Sequence, residues 1–331
     1  MGMNRQSFTR IIAIACITTS IATGCSDNTS GVLLDDYLTR VARVQDADKV
    51  PKQAGGNTQL LRKRDLKIEI PTISIGLLDS YQLRQCNLFN LIAERNSILG
   101  KVADEFSNYD YQRALLTGVE QCLQGEDIEP ELRNTLAQIH QQKSSQLAMH
   151  RWNLVYSSET MQKQLTGNQW LSQDMSHAFA QVNQALSVIS HAAMDSQVKV
   201  FDVQEVLDKT AIIGDLNYSL ANTAIGLNRV TQQLSEYDAL IICGKNRDTT
   251  KFKYLNNVFE QQYIGKVQPY MAELDSYYQT LLPNLAIFTP QPYIHPYEYP
   301  LQDNYRAFHQ AIRQHVNYWQ QLFKRCGRKV G

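Results

Sequence analysis

The sequence predicts an all-α fold, an elongated bundle of long antiparallel helices with at most one short β element near residues 66–75. Three observations carry this prediction. Apolar residues recur at spacings of three and four over long stretches, as they do on one face of a helix. The same stretches are rich in Leu, Ala, Gln and Glu, which enter a helix at little entropic cost. Proline, nine in 331 residues, is nearly absent from their interiors.

The elements follow in chain order. Leu34, Tyr37, Leu38, Val41 and Ala42 set a first helix beginning near Val32, which dissolves at Lys49-Val50-Pro51 and Gly55-Gly56. Leu66-Lys67-Ile68-Glu69-Ile70 alternates with period two and is the one candidate strand, closed by Pro71, which has no N–H for a ladder. Helical patterns then run over Leu77 to Phe106, Tyr109 to Leu123, Pro130 to Leu165, Trp170 to Met194, Val203 to Leu240, Phe252 to Leu282 and Leu301 to Cys326. Gly214 and Pro269 are the expected kinks. A thirty-residue helix is about 45 Å long, hence the elongated body. No fixed-period repeat argues for a solenoid.

Residues 1–24 have the layout of an export signal. Arg5 and Arg10 precede an apolar run from Ile11 to Ala22, which ends in Thr23-Gly24. The run is shorter than the roughly 20 residues a spanning helix needs. Ile21-Ala22-Thr23-Gly24-Cys25 resembles a bacterial lipobox, with Ala22 where leucine is commonest, so residues 1–24 read as a lipoprotein signal peptide and Cys25 as the lipidation site. Ser26 in place of aspartate implies, by resemblance to Gram-negative sorting rules, the inner leaflet of the outer membrane, facing the periplasm. Residues 25–31 are then the lipidated cysteine and a polar tether reaching about 20 Å, and residues 32–331 a single helical domain.

The cysteines agree with an oxidising compartment. Once Cys16 and Cys25 are set aside, Cys86, Cys122, Cys243 and Cys326 remain, and an even set suggests two disulfides. Three pairings are open. Cys86 with Cys122 and Cys243 with Cys326 is preferred, because each pair would join helices expected to be antiparallel neighbours. The Cα separations should then fall below about 7 Å. No C-x-x-C spacing supports a metal.

Composition narrows the partners. Charged residues balance at 32 basic against 32 acidic, so no global field recruits nucleic acid. The expected partners are a membrane, through the lipid, and an envelope protein or glycan. No sequence feature calls for a cofactor.

The stretches Ile75-Gly76-Leu77-Leu78-Asp79-Ser80-Tyr81, Leu83-Arg84-Gln85-Cys86 and Leu91-Ile92-Ala93-Glu94-Arg95-Asn96-Ser97-Ile98-Leu99-Gly100-Lys101-Val102, with Asp36 to Val44 before them, resemble an uncharacterised family of proteobacterial lipoproteins. It is catalogued as domain of unknown function 3080. The resemblance covers most of the mature chain and implies no activity, ligand or catalytic residue.

Two features stand out as candidate sites. Arg95 falls within an apolar stripe of Leu88, Leu91, Ile92, Ile98, Leu99 and Val102. A guanidinium there needs a partner, either an internal carboxylate such as Asp79 or a bound anion. Phe288 to Pro300 holds four of the nine prolines together with Tyr293, Tyr297 and Tyr299. It is read either as an aromatic surface for a glycan or peptide or as a strap laid over the bundle.

Enzymatic signals are missing. The seven histidines never fall at H-E-x-x-H spacing, and G-x-S-x-G, P-loop and G-x-G-x-x-G motifs are absent. Acidic residues such as Asp104 and Glu105 are better read as a solvated helix face than as a hydrolytic pair. The basic runs Arg62-Lys63-Arg64, Lys324-Arg325 and Arg328-Lys329 read as solvated charge. The leading expectation is a non-enzymatic interaction or assembly module. A cell-wall-directed hydrolase and a ligand-binding protein using a pocket near Arg95 are the alternatives.

Overall fold

In a computed structural model the described residues are 29–52, 55–56, 58–72, 83–84, 86, 88–97, 102–125, 128–244 and 246–328. The signal segment, Cys25 and Asp79 lie outside them. The fold is all-α. Its helices are α1 (Thr29–Gln45), α2 (Lys63–Leu66), α3 (Leu88–Asn96), α4 (Glu105–Gln124), α5 (Pro130–Ser157), α6 (Glu159–Leu165), α7 (Ser176–Ala192), α8 (Gln204–Lys209), α9 (Ile213–Glu236), α10 (Thr250–Val258), α11 (Gln268–Leu281) and α12 (Leu301–Arg325). A π-helical segment, Phe259–Val267, joins α10 to α11.

Helix α9 is central. It packs along α12 and α1 and also touches α6 and α11. Its buried Leu216, Leu220, Leu227, Val230 and Leu234 keep helical spacing, and each such side chain contributes about 1.5–3 kcal/mol by leaving water. Leu34, Tyr37, Leu38, Val41 and Ala42 of α1 are all buried, as their spacing predicts. The helix begins at Thr29, however, inside the stretch read as tether. A second, smaller core gathers Leu83, Leu88, Leu115, Val119, Cys122, Leu132, Leu136 and Ile139 around α3, α4 and the first half of α5.

Several predicted helices are cut by local chemistry. The stretch from Leu77 to Phe106 does not continue as one helix. Helix α3 ends at Asn96, and α4 starts at Glu105 because the Asp104 carboxylate accepts from Ser107 N at 2.9 Å. Asp104 is thus a cap. The stretch from Pro130 breaks at Ser157-Ser158, whose hydroxyls donate to Asn153 O and Leu154 O, while Ser158 Oγ also caps α6. The stretch from Val203 breaks between α8 and α9. Gly214 is no kink. It sits in the first turn of α9, where its backbone meets Gly167 so closely that a Cβ on Gly167 would lie 1.9 Å from Gly214 C. Pro269 follows the π segment, which spans the point where the helical ladder loses an N–H donor.

The candidate strand does not form among the described residues. Residues 67–72 are extended, but α5 side chains take the hydrogen bonds a neighbouring strand would have taken. Asn153 Oδ1 accepts from Ile68 N at 2.9 Å and Asn153 Nδ2 donates to Ile68 O at 2.8 Å. Trp152 Nε1 donates to Leu66 O and Gln146 Nε2 to Pro71 O.

Both cysteine pairs are joined as preferred, with Cα separations of 5.2 Å for Cys86–Cys122 and 5.0 Å for Cys243–Cys326. The reason differs from the one expected. Each bond ties a connecting segment to a helix end, since Cys86 precedes α3 and Cys243 follows α9, while Cys122 lies in the last turn of α4 and Cys326 caps α12.

Candidate functional site

Helices α4 and α5 run antiparallel, as the pairs Asn108–His150, Gln112–Lys143 and Glu120–His140 require. The buried stripe of α5 reads Leu132, Leu136, Ile139, Lys143, Gln146, His150, Asn153 and Ser157, alternating steps of four and three. This is the spacing of a packed helical seam. Its first three members close the small core. The next three are polar and form a belt between the two cores.

Hydrogen bonds link the belt across to α4 and α3. Lys143 Nζ donates to Gln112 Oε1 at 2.9 Å, and Arg95 donates to Asn108 Oδ1 at 3.0 Å. With its oxygen so engaged, Asn108 donates through Nδ2 to His150 Nδ1 at 3.2 Å. The proton of neutral His150 therefore sits on Nε2, an enclosed atom with no partner among the described residues. Among the described residues Lys143 Nζ donates to one neutral acceptor, Gln112 Oε1. Two enclosed atoms of the belt lack a partner among those residues, the His150 Nε2 donor and the Gln146 Oε1 acceptor.

The charges of the belt act on one another. Burial, then the charge of Arg95, lowers the Lys143 pKa. Burial, then Lys143 and Arg95, pushes His150 down to about 4.

Arg95 also faces outward into a cleft of about 380 Å³, which Glu94, Tyr111, Arg113, Lys199 and Phe201 help to line. The Arg95 guanidinium lies 5.3 Å from the Tyr111 ring centroid. Arg113 is already engaged by Asp110 at 2.8 Å, Val198 O and Asp195 O. Asp110 in turn accepts from Val200 N and Phe201 N. That pair is structural, and the lining also carries the charges of Arg95, Lys199 and Glu94. Lining Phe201 is 53% exposed, and Val102 and Met194, close in sequence to lining Ala103 and Ser196, are 76% and 89% exposed.

The remaining predicted residues are distributed as follows. Arg95 is half-buried on α3, and the suggested partner Asp79 lies outside the described residues. The tyrosines of the proline-rich segment do not share one surface. Tyr293 is 81% exposed, Tyr297 packs edge-on against Tyr156, and Tyr299 is buried with its hydroxyl on Leu165 O. His295 stacks on Trp152 at 4.9 Å, and Tyr156 donates to Phe288 O, so the segment lies as a strap over α5 and α6. Arg62 pairs with Asp65, Arg325 with Asp238 and Arg328 with Glu260. The belt itself was missed in the sequence, although the polar interruption at Lys143, Gln146 and His150 of a seam begun by Leu132, Leu136 and Ile139 is visible there.

Among the described residues no cluster of three or more His, Cys, Asp or Glu could hold a metal ion, and no helix is long and apolar enough to cross a membrane. A family model described as a protein of unknown function (DUF3080) matches residues 34–330. No curated protein and no solved structure matches the chain.

Proposed function

The chain belongs to the DUF3080 family, and from that premise we propose that it is a lipid-anchored, periplasm-facing module that holds an acidic, apolar segment of an envelope partner in the Arg95 cleft. The observation that carries this reading is a cleft that Arg95 and Lys199 line together with the apolar Leu91, Tyr111, Val198 and Phe201. A carboxylate in the cleft would be drawn by the positive charges of Arg95 and Lys199. Phe201, Val102 and Met194 would cover the apolar neighbours of that carboxylate, as exposed hydrophobic groups at interaction sites do. The anchor rests on the short apolar run before Cys25 and the small residues that end it.

Two measurements test the two halves of the reading. Cys25→Ala should abolish incorporation of labelled palmitate, and unchanged labelling refutes the anchor. For the cleft, a photo-crosslinking amino acid placed at Phe201 in cells should give an adduct whose partner peptide, sequenced by mass spectrometry, is acidic and apolar. Arg95→Glu should cut that adduct by about tenfold, since one charge-assisted contact becomes a repulsion. A basic partner peptide, or an adduct indifferent to Arg95→Glu, refutes the cleft.

A further inference from the structure

A second cleft lies elsewhere, between the start of α1, the segment before α7 and the outer face of α9. Its volume is about 610 Å³, within the range of roughly 300–1,000 Å³ that small-molecule sites occupy. Trp170 forms one wall and Tyr218 of α9 a second, their rings 5.8 Å apart and nearly perpendicular. Of the three tryptophans, Trp152 and Trp319 are buried in the core and only Trp170 reaches the surface.

The wall is held in place from behind. Ser30 Oγ donates to Leu171 O at 3.1 Å, Ser219 Oγ accepts from Leu171 N at 2.9 Å, and Asp215 Oδ1 accepts from Asn168 N and Gln169 N. Residues on both sides of Trp170 are thereby fixed to α1 and α9, which is the preorganisation a binding platform needs. Gly31 allows α1 to approach the edge of the indole, because a Cβ there would lie 2.7 Å from Trp170 Nε1. That indole N–H donates to no group among the described residues and is not enclosed.

The polar lining carries Asp35, Lys52 and Arg229 beside the neutral Thr58 and Asn222. Asn222 Nδ2 donates to Tyr218 O at 2.8 Å, which orients the amide and leaves Oδ1 turned toward Gly55 across the cleft. Arg229 is consumed by Val50 O, Pro51 O and Asp35. The cleft therefore combines an aromatic face, an indole N–H donor and an amide acceptor, with Lys52 and Asp35 as the charges of its lining beside the engaged Arg229. Flat C–H faces of pyranose rings stack on aromatic walls, while an acetamido group supplies both an acceptor for an indole N–H and a donor for an amide oxygen. We propose that this cleft binds a glycan of N-acetylated sugars, stacked on Trp170 with Asn222 as its amide contact.

The site is independent of the Arg95 cleft, and the test keeps them apart. The full chain, purified in detergent, is titrated with the tetrasaccharide of β-1,4-linked N-acetylglucosamine by calorimetry, and acrylamide quenching of tryptophan fluorescence is followed in parallel. Binding with a dissociation constant below about 1 mM is expected, with protection of the accessible tryptophan. Trp170→Ala should weaken it by about tenfold or more, and Arg95→Glu should leave it unchanged. Asn222→Leu, on the surface of α9, gives a second test should Trp170→Ala fail to fold, and it too should weaken binding. No heat and no protection at about ten times that concentration would overturn the proposal, as would equal binding by Trp170→Phe, Asn222→Leu and the unaltered chain. Equal binding of maltotetraose would overturn the assignment to N-acetylated sugars.

Discussion

Replacing Gln164 by leucine is expected to destabilise the protein by about 5 kcal/mol although it leaves core volume nearly unchanged. Gln164 is fully buried on α6, and its amide serves four backbone groups at the break between α8 and α9. Nε2 donates to Leu207 O at 3.0 Å and Thr210 O at 2.7 Å, while Oε1 accepts from Ile212 N at 2.7 Å and Ile213 N at 3.0 Å. The carbonyls belong to the end of α8 and the N–H groups to the start of α9, groups that a helix cannot satisfy internally. Leucine fills the same space and strands all four, each at about 1–3 kcal/mol when it cannot reach water. Urea titration followed by circular dichroism measures the loss. A destabilisation below about 1 kcal/mol would show that the break is held by other contacts.

Acid should unfold the protein well above the pH at which its carboxylates titrate. His315 is fully buried and burial pushes its pKa down to about 3, while His150 is pushed down to about 4 by burial, Lys143 and Arg95. Trp319 Nε1, which can only donate, points at His315 Nε2 at 3.0 Å, and Tyr37 Oη lies 3.0 Å from the same atom. The proton of neutral His315 is therefore on Nδ1, directed at Thr231 Oγ1 at 2.9 Å, and a second proton on Nε2 would face the indole N–H. The unfolded chain takes up a proton at each histidine near pH 6.5, and the folded chain does not until about pH 4 for His150 and pH 3 for His315. Stability is thus fully present above 6.5 and falls as the pH drops below it, by about 1.4 kcal/mol per pH unit for each histidine. Between pH 7.5 and 4.5 the pair should cost about 5 kcal/mol. Urea midpoints across that range test the slope. His315→Gln should remove about half of it, and a flat profile from 7.5 to 5 would contradict the assignment of both groups as buried and neutral.

The candidate site was legible in part. Arg95 was visible as a charge within an apolar stripe, and the structure puts it at the mouth of a cleft. Its contacts with Asn108 and Tyr111 come from α4, thirteen and sixteen residues away, and no local pattern announces them. Lys143, Gln146 and His150 could have been found by following the four-three spacing of α5 past Ile139. Trp170 and Tyr218 share a cleft only because Leu171 is bonded to Ser30 and Ser219. The proline-rich strap illustrates the opposite limit. Its composition marked an extended segment, while the burial of Tyr299 and exposure of Tyr293 depended on what lay beneath.

What the sequence determined by itself is the helical class, the face that each long helix buries, and the even set of cysteines. These follow from periodicity and backbone propensity, which act over a few residues and so can be read along the chain. Tertiary structure alone decided where the helices stop. Gln164 ends α8 and starts α9 from another helix, and Asn153 takes the hydrogen bonds that would have made residues 67–72 a strand. A backbone polar group leaving water must find a partner, but nothing requires that partner to be near in sequence. Breaks satisfied by distant side chains are therefore invisible until the chain has folded.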